Sequence, residues 1–135
     1  MTSPLLRRLL LLIAVLTVIS GTVQMLWPSF VLHLVGGPDN PGARLFFCIV
    51  GMFMVLFGGL AFQALRAPEA QQALPLRWVA LQKLGASAAV GLGFYHGLFG
   101  AMALLVAGFD LLSALLFLFY LRQLSGQPEL SGVSR

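Results

Sequence analysis

The chain has 135 residues, of which 59% are hydrophobic and 9% charged, and its formal net charge is +4. A soluble domain carries about a quarter of its residues as charge, so this composition excludes a water-facing globule and indicates an integral membrane protein. The length allows one unit of four helices without a separate soluble domain, and the arginines are dispersed at the ends of apolar blocks, which points to lipid and not to nucleic acid.

In chain order, Arg7 and Arg8 precede the first apolar block, and Leu9–Trp27 carries no charge. A membrane span needs about 20 mostly apolar residues, so the spacing predicts span one at about 5–27. Arg7-Arg8 before a leucine-rich core also has the layout of a signal peptide, with Val18-Ile19-Ser20 as a tolerable cleavage site. The apolar run continues past Ser20 to Trp27, which favours an uncleaved helix. Met1 is followed by Thr2, not by the glycine that myristoylation requires.

The segment Pro28–Gly42 begins with Ser29-Phe30-Val31-Leu32-His33-Leu34-Val35, apolar enough to lie in the membrane interface. Gly36-Gly37-Pro38-Asp39-Asn40-Pro41-Gly42 then forces turns. A short helix capping the bundle from outside is expected here. Leu45–Leu65 is again free of charge and predicts span two at about 43–65. Arg66–Arg77 contains Pro68, Glu69, Gln71, Gln72 and Pro75 and reads as a solvated polar loop.

Trp78–Leu121 is 44 residues long and contains only Lys83 and Asp110 as charges. As one helix it would run ~66 Å, twice the hydrocarbon thickness, so it must fold back. Gly91, Gly93, Gly97 and Gly100 place the turn, giving spans at about 77–96 and 100–121. The runs are continuous and not alternating, so helices are expected and a barrel is not. The predicted fold is all-α: an integral membrane four-helix bundle with a short interfacial segment after the first span and a flexible tail over 125–135.

With four spans, Arg7, Arg8, Arg66, Arg77, Arg122 and Arg135 fall on one side and Arg44 alone on the other. Cytoplasmic loops collect Lys and Arg, so both termini are expected in the cytoplasm of a bacterium whose inner membrane holds the chain. Trp27, Trp78, Tyr95 and Tyr120 sit near predicted span ends, as an aromatic belt requires. Small residues mark helix contacts within membranes. Ala103, Ala107, Asp110 and Ala114 recur at helical spacing as such a face on span four, with Ser113 beside them, and Gly51, Gly58 and Gly59 serve span two. Span three has two small series, Lys83-Ser87-Gly91 and Gly85-Ala89-Gly93, and is expected to be the central, most closely packed helix.

Asp110 lies ten positions before Tyr120, roughly 15 Å from the cytoplasmic interface by helical rise. An ionised Asp there costs about 2.5–3.5 kcal/mol on insertion scales. Lys83 stands five residues past Trp78, roughly 7–8 Å deep. An ion pair between them is the simplest solution. In the alternative, Asp110 stays protonated and bonds Gln82 or Ser87 while Lys83 reaches the headgroups. The functional alternative makes Asp110 a proton- or ligand-binding carboxylate facing a cavity. Gln63 is a further polar residue, near a span end. His33 and His96 both fall on the outer side and are candidates for a metal, haem or quinone ligand, though without the spacing of a metal motif. Cys48 is the lone cysteine and reads as an apolar filler. No Walker loop, G-x-S-x-G or metalloprotease helix occurs, so no catalytic residue is assigned and no metal is implied.

Several short motifs carry a family likeness: Ala43-Arg44-Leu45-Phe46 at the start of span two, Gln82-Lys83-Leu84-Gly85 in span three, and Asp110-Leu111-Leu112 with Tyr120-Leu121-Arg122 in span four. Together with size and span number they make the chain similar to small bacterial four-helix membrane proteins around the DoxX family. The resemblance covers spans two to four and implies an association with quinone-linked redox complexes.

Three function classes follow. The first is a non-enzymatic accessory or assembly subunit that packs against other membrane proteins or copies of itself. The second is a proton-coupled or lipophile-binding transport module using Asp110. The third is a DoxX-like redox component using a quinone or the histidines.

Overall fold

The first three helices begin and end where the sequence gives them a reason. A computed structural model describes residues 2–126. α1 (Pro4–Leu26) is capped by Ser3, whose hydroxyl accepts from the Leu6 amide, with Pro4 at the first helical position. Pro28 lacks the amide needed to continue α1, and instead opens the short α2 (Pro28–Val35). α2 ends at Gly36, whose φ of 68° suits a residue without Cβ. Asn40 caps α3 (Pro41–Arg66) through the Ala43 amide. Pro68 holds Ala67 extended and stops α3. A single 3-10 turn, Glu69–Gln71, leads into α4 (Ala73–Tyr95), and a tight turn over 96–101 leads into α5 (Met102–Ser125). Among the described residues there is no strand.

Two helix pairs make up the molecule. α1 packs along α3 and α4 along α5, while thinner α3–α4 and α1–α5 contacts join the pairs. α2 lies against α1, α3 and α5 at one end. The core is confined to the inside of this arrangement and includes Leu10, Ala14, Ala61, Leu65, Leu76, Val79, Ala80, Phe117 and Tyr120. The outside is apolar: Leu5, Leu26, Phe46, Leu74 and Leu105 are among many large side chains left exposed. A water-soluble surface does not look like this. α1, α3 and α5 are each long and apolar enough to cross a membrane, and the chain has the character of a multi-pass membrane protein. α4 has 23 residues, enough length, but it spends positions on Arg77, Gln82, Lys83 and Ser87 and is less apolar than the other three.

The closest helix approach is between α1 and α3, not at α4 as the small-residue count suggests. A Cβ on Gly51 would stand 2.6 Å from the Gly21 carbonyl oxygen, and one on Gly21 would stand 2.7 Å from the Gly51 oxygen. Gly58 meets Val18 and the Ala14 carbonyl in the same interface. By contrast, Gly85 and Gly91 on α4 face open space, and only Gly93 of that helix is packed, against the Phe99 ring. Gly91 and Gly93 lie within α4, and the turn rests on Gly97, with φ 74°, and Gly100.

The helices also outrun the predicted spans. α4 starts at Ala73 and absorbs Pro75 into its first turn, so the polar loop shrinks to a few residues. Gln72, expected in water, is fully buried. Tyr120, expected in the aromatic belt, is also fully buried because its hydroxyl donates to Gln72 Oε1 at 2.7 Å. Trp27, Trp78 and Tyr95 are exposed. The tail expected to be flexible lies outside the described residues beyond Gly126.

Candidate functional site: a buried lysine–aspartate pair

Lys83 of α4 and Asp110 of α5 meet inside the helix assembly. The Lys83 Nζ stands 2.9 Å from Asp110 Oδ1, with side chains 4% and 14% exposed. A second hydrogen bond, also 2.9 Å, runs from Nζ to Thr17 Oγ1 of α1. The Thr17 hydroxyl donates in turn to the Ile13 carbonyl at 2.8 Å, the backward bond typical of a helical threonine. The ammonium group also lies 5.3 Å from the Phe109 ring centroid, within cation–π range. Two of the three ammonium donors are thus assigned.

The position of Lys83 along α4 follows from the helix bounds. Because α4 begins at Ala73, Lys83 is ten residues in, about 15 Å by helical rise. That is twice the distance from Trp78, and the ammonium group is turned inward to Asp110 and Thr17. Asp110 bonds neither Gln82 nor Ser87. Ser87 instead donates to the Ala107 carbonyl at 2.9 Å, tying α4 to α5 one turn away. Gln82 lies beside Lys83, and its Oε1 is buried without a hydrogen-bond partner. Gln63 is exposed near the end of α3 and takes no part.

The space around the ammonium group is narrow. Ile13, Ala14, Thr17, Gly58, Gln82 and Phe117 line a void between the two helix pairs that admits no water-sized sphere. A buried charge in so dry a place is tolerable only when paired and hydrogen-bonded. What the arrangement can do chemically is hold two opposite charges together, with the hydroxyl of the other helix pair fixed on one of them.

At the end of the molecule where Gly100 donates to the Val35 carbonyl, a second cluster forms. Arg44 Nε hydrogen-bonds Asp39 Oδ1 at 2.5 Å, His33 Nε2 is 3.5 Å from Asp39 Oδ2, and Ser29 reaches the same carboxylate at 3.4 Å. The Arg44 hydrogen bond holds the Asp39 carboxyl below the usual carboxylate range, against an opposing push from desolvation. His96 packs edge-on against Tyr95, ring centroids 5.5 Å apart. Among the described residues no group of three or more His, Cys, Asp or Glu could hold a metal ion.

The opposite end is a polar lock. Arg7 Nε donates to the Leu65 carbonyl at 2.7 Å, which satisfies an orphan acceptor at the end of α3. Gln72 donates to the Ala67 carbonyl at 2.7 Å, and Ser3 N–H donates to Gln123 at 3.0 Å. Sequence reasoning missed Thr17, Gly21 and Gln24, and placed Gln72 in a solvated loop and Tyr120 in an aromatic belt. Gln24 donates to the Phe47 carbonyl at 3.0 Å, and the Cys48 thiol to Met25 O at 3.0 Å, so that cysteine is more than a filler. A signal for the α1 residues was present: Thr17, Gly21 and Gln24 fall at i, i+4, i+7 on one face of a leucine-rich helix.

No family model, no curated protein and no solved structure matches this chain.

Proposed function

We propose that this chain is a four-span protein of the bacterial inner membrane, with both termini in the cytoplasm, that acts as a non-enzymatic accessory or assembly subunit. α4 is the fourth span, accepted because its one mid-helix charge is neutralised by α5. The observation that carries the reading is the closed state of the Lys83–Asp110–Thr17 site. Its hydrogen bonds join α1, α4 and α5, and the void beside it admits no water-sized sphere. The site holds helices together instead of receiving a substrate. Meanwhile Gly85 on α4 and Gly108 on α5 face open space, the kind of surface on which another membrane helix packs closely.

The orientation is supported by the charge layout. Arg7, Arg8, Arg66, Arg77 and Arg122 gather at the end that holds the start of α1, the α3–α4 turn and the end of α5. Arg44, the exception at the other end, is matched by Asp39. The test is gentle extraction of the full chain and mass spectrometry of what comes with it. A stoichiometric protein partner or a second copy is expected. A monomer carrying a stoichiometric quinone, with no protein partner or second copy, would sink the reading and favour the DoxX-like, quinone-linked alternative.

A second reading has its own observation. Asp110 is the less enclosed partner, and Gln82 Oε1 is buried without a hydrogen bond nearby. A pair of this kind could exchange a proton in a transport module. That reading predicts that Asp110→Asn abolishes transport while the protein stays folded.

A further inference from the structure

The outer face of the α1–α3 pair carries a groove that the buried site does not use. It measures about 240 Å³ and is lined by Val15, Val18 and Ile19 of α1 and by Gly59 and Phe62 of α3. A Cβ added at Gly59 would meet nothing within 4 Å, so this glycine opens the floor. The lining is wholly apolar, which suits a hydrocarbon chain.

The groove points toward two arginines. On α3, Gly59, Phe62 and Arg66 fall at i, i+3, i+7, and the Arg66 guanidinium carbon lies 5.5 Å from the Phe62 ring centroid. The cation is therefore folded back over the groove's rim. On α1, Arg8, Val15 and Ile19 fall at i, i+7, i+11, one stripe of a helix. Both arginines are exposed. They lie at the same end because α1 and α3 are antiparallel, as the Arg7–Leu65 hydrogen bond shows. The five arginines of this end exceed what Glu69, its one carboxylate among the described residues, can balance.

We propose that this groove is a binding site for an anionic phospholipid, with one acyl chain between α1 and α3 and the phosphate held by Arg8 and Arg66. The proposal rests on the membrane reading above, but not on the subunit role. A guanidinium pair recognises a phosphate by charge and by its planar donors, and the slot beneath accepts the chain.

The test is native mass spectrometry of the full chain in mild detergent, titrated with phosphatidylglycerol or phosphatidylcholine. The wild type is expected to retain phosphatidylglycerol preferentially. Arg8→Gln and Arg66→Gln should each lower that retention about fivefold, the factor that roughly 1 kcal/mol per basic residue near an anionic surface represents. Arg77→Gln and Arg122→Gln remove the same charge at the same end and should leave it unchanged. Gly59→Leu puts a side chain into the groove, where its Cβ meets nothing within 4 Å, and should lower retention of both lipids. Equal losses in all four arginine variants, or no lipid preference in the wild type, overturn the site. Stable incorporation into phosphatidylcholine vesicles without a preference does so while leaving the membrane reading intact.

Discussion

Removing the two charges of the buried site one at a time, and then together, tests what the site is for. Asp110→Asn leaves the Lys83 ammonium group 4% exposed, with Thr17 and a neutral amide for company. Breaking a buried pair from one side costs about 3–5 kcal/mol, most of it the uncompensated charge. Lys83→Met should cost less, because Asp110 is 14% exposed and keeps more contact with its surroundings. Lys83→Met with Asp110→Asn removes both charges and leaves Thr17 bonded to Ile13, so the double variant should lie close to wild type. The coupling between the two changes should exceed about 2 kcal/mol, near the upper end seen for residues in contact. An ordinary hydrogen bond between membrane helices couples by only about 0.6 kcal/mol, so the two explanations separate cleanly. The measurement is unfolding in mixed micelles by titrated denaturing detergent, followed by circular dichroism. A double variant as unstable as the sum of the singles would refute the structural pairing.

Other consequences are as direct. Gly51→Val should abolish folded yield, since even the Cβ would stand 2.6 Å from the Gly21 carbonyl and 2.7 Å from the Met25 amide nitrogen; Gly85→Ala, in open space, should be neutral or slightly stabilising by helix propensity, and size-exclusion profiles report both. Tyr120→Phe strands the Gln72 acceptor in a fully buried position and should cost about 1–3 kcal/mol in the same unfolding assay. Asp39 has a lowered folded-state pKa, so its pairing with Arg44 stabilises above the ordinary carboxylate value of about 3.9 and is lost as pH falls through the lowered value. The stability difference between wild type and Asp39→Asn should thus be small, salt-sensitive and flat from pH 7 to about 5; a difference that high salt leaves unchanged would refute the ion pair as its source.

Much of this fold was legible because apolar run length is a strong signal. Leu9–Trp27 and Leu45–Leu65 read directly as α1 and α3, and the fold-back of the third block was forced by length alone. The segment after Trp27 was readable as a short helix because Pro28 and Gly36 punctuate it. Boundaries were harder. Gln72 and Pro75 read as loop residues because polarity suggests solvent and proline suggests a break. A proline in the first turn breaks no hydrogen bond, and a glutamine can be buried once Tyr120 and the end of α3 occupy its polar atoms. The packing rank of the helices was not legible either. Glycine counts favoured α4, but a glycine matters only where another backbone comes within reach, as at Gly21 and Gly51. Lys83 and Asp110 stood out as the charges inside the blocks, whereas Thr17 did not, because one hydroxyl in a leucine-rich helix satisfies itself locally.

Thr17 changes how the pair should be understood. On the four-span reading, a lysine near mid-membrane and an aspartate on the neighbouring helix would each cost about 2.5–3.5 kcal/mol if inserted alone. Joined, they cancel, and what the α4–α5 hairpin then presents outward is apolar, with Leu81, Leu92, Leu105 and Leu112 exposed. On the four-span reading, α4 therefore depends on α5 to reside in the membrane, while α1 and α3 need no such help, being uncharged through their middles and locked by glycine contact. Neutralisation within the hairpin would be complete without a third residue. The bond from Lys83 to Thr17 adds nothing to charge balance, yet it crosses from one helix pair to the other at 2.9 Å. Its effect is to fix the angle and height at which the two pairs meet, where the contacts between pairs are otherwise thin. A proton-exchanging carboxylate would not need that crossing, and a helix junction does.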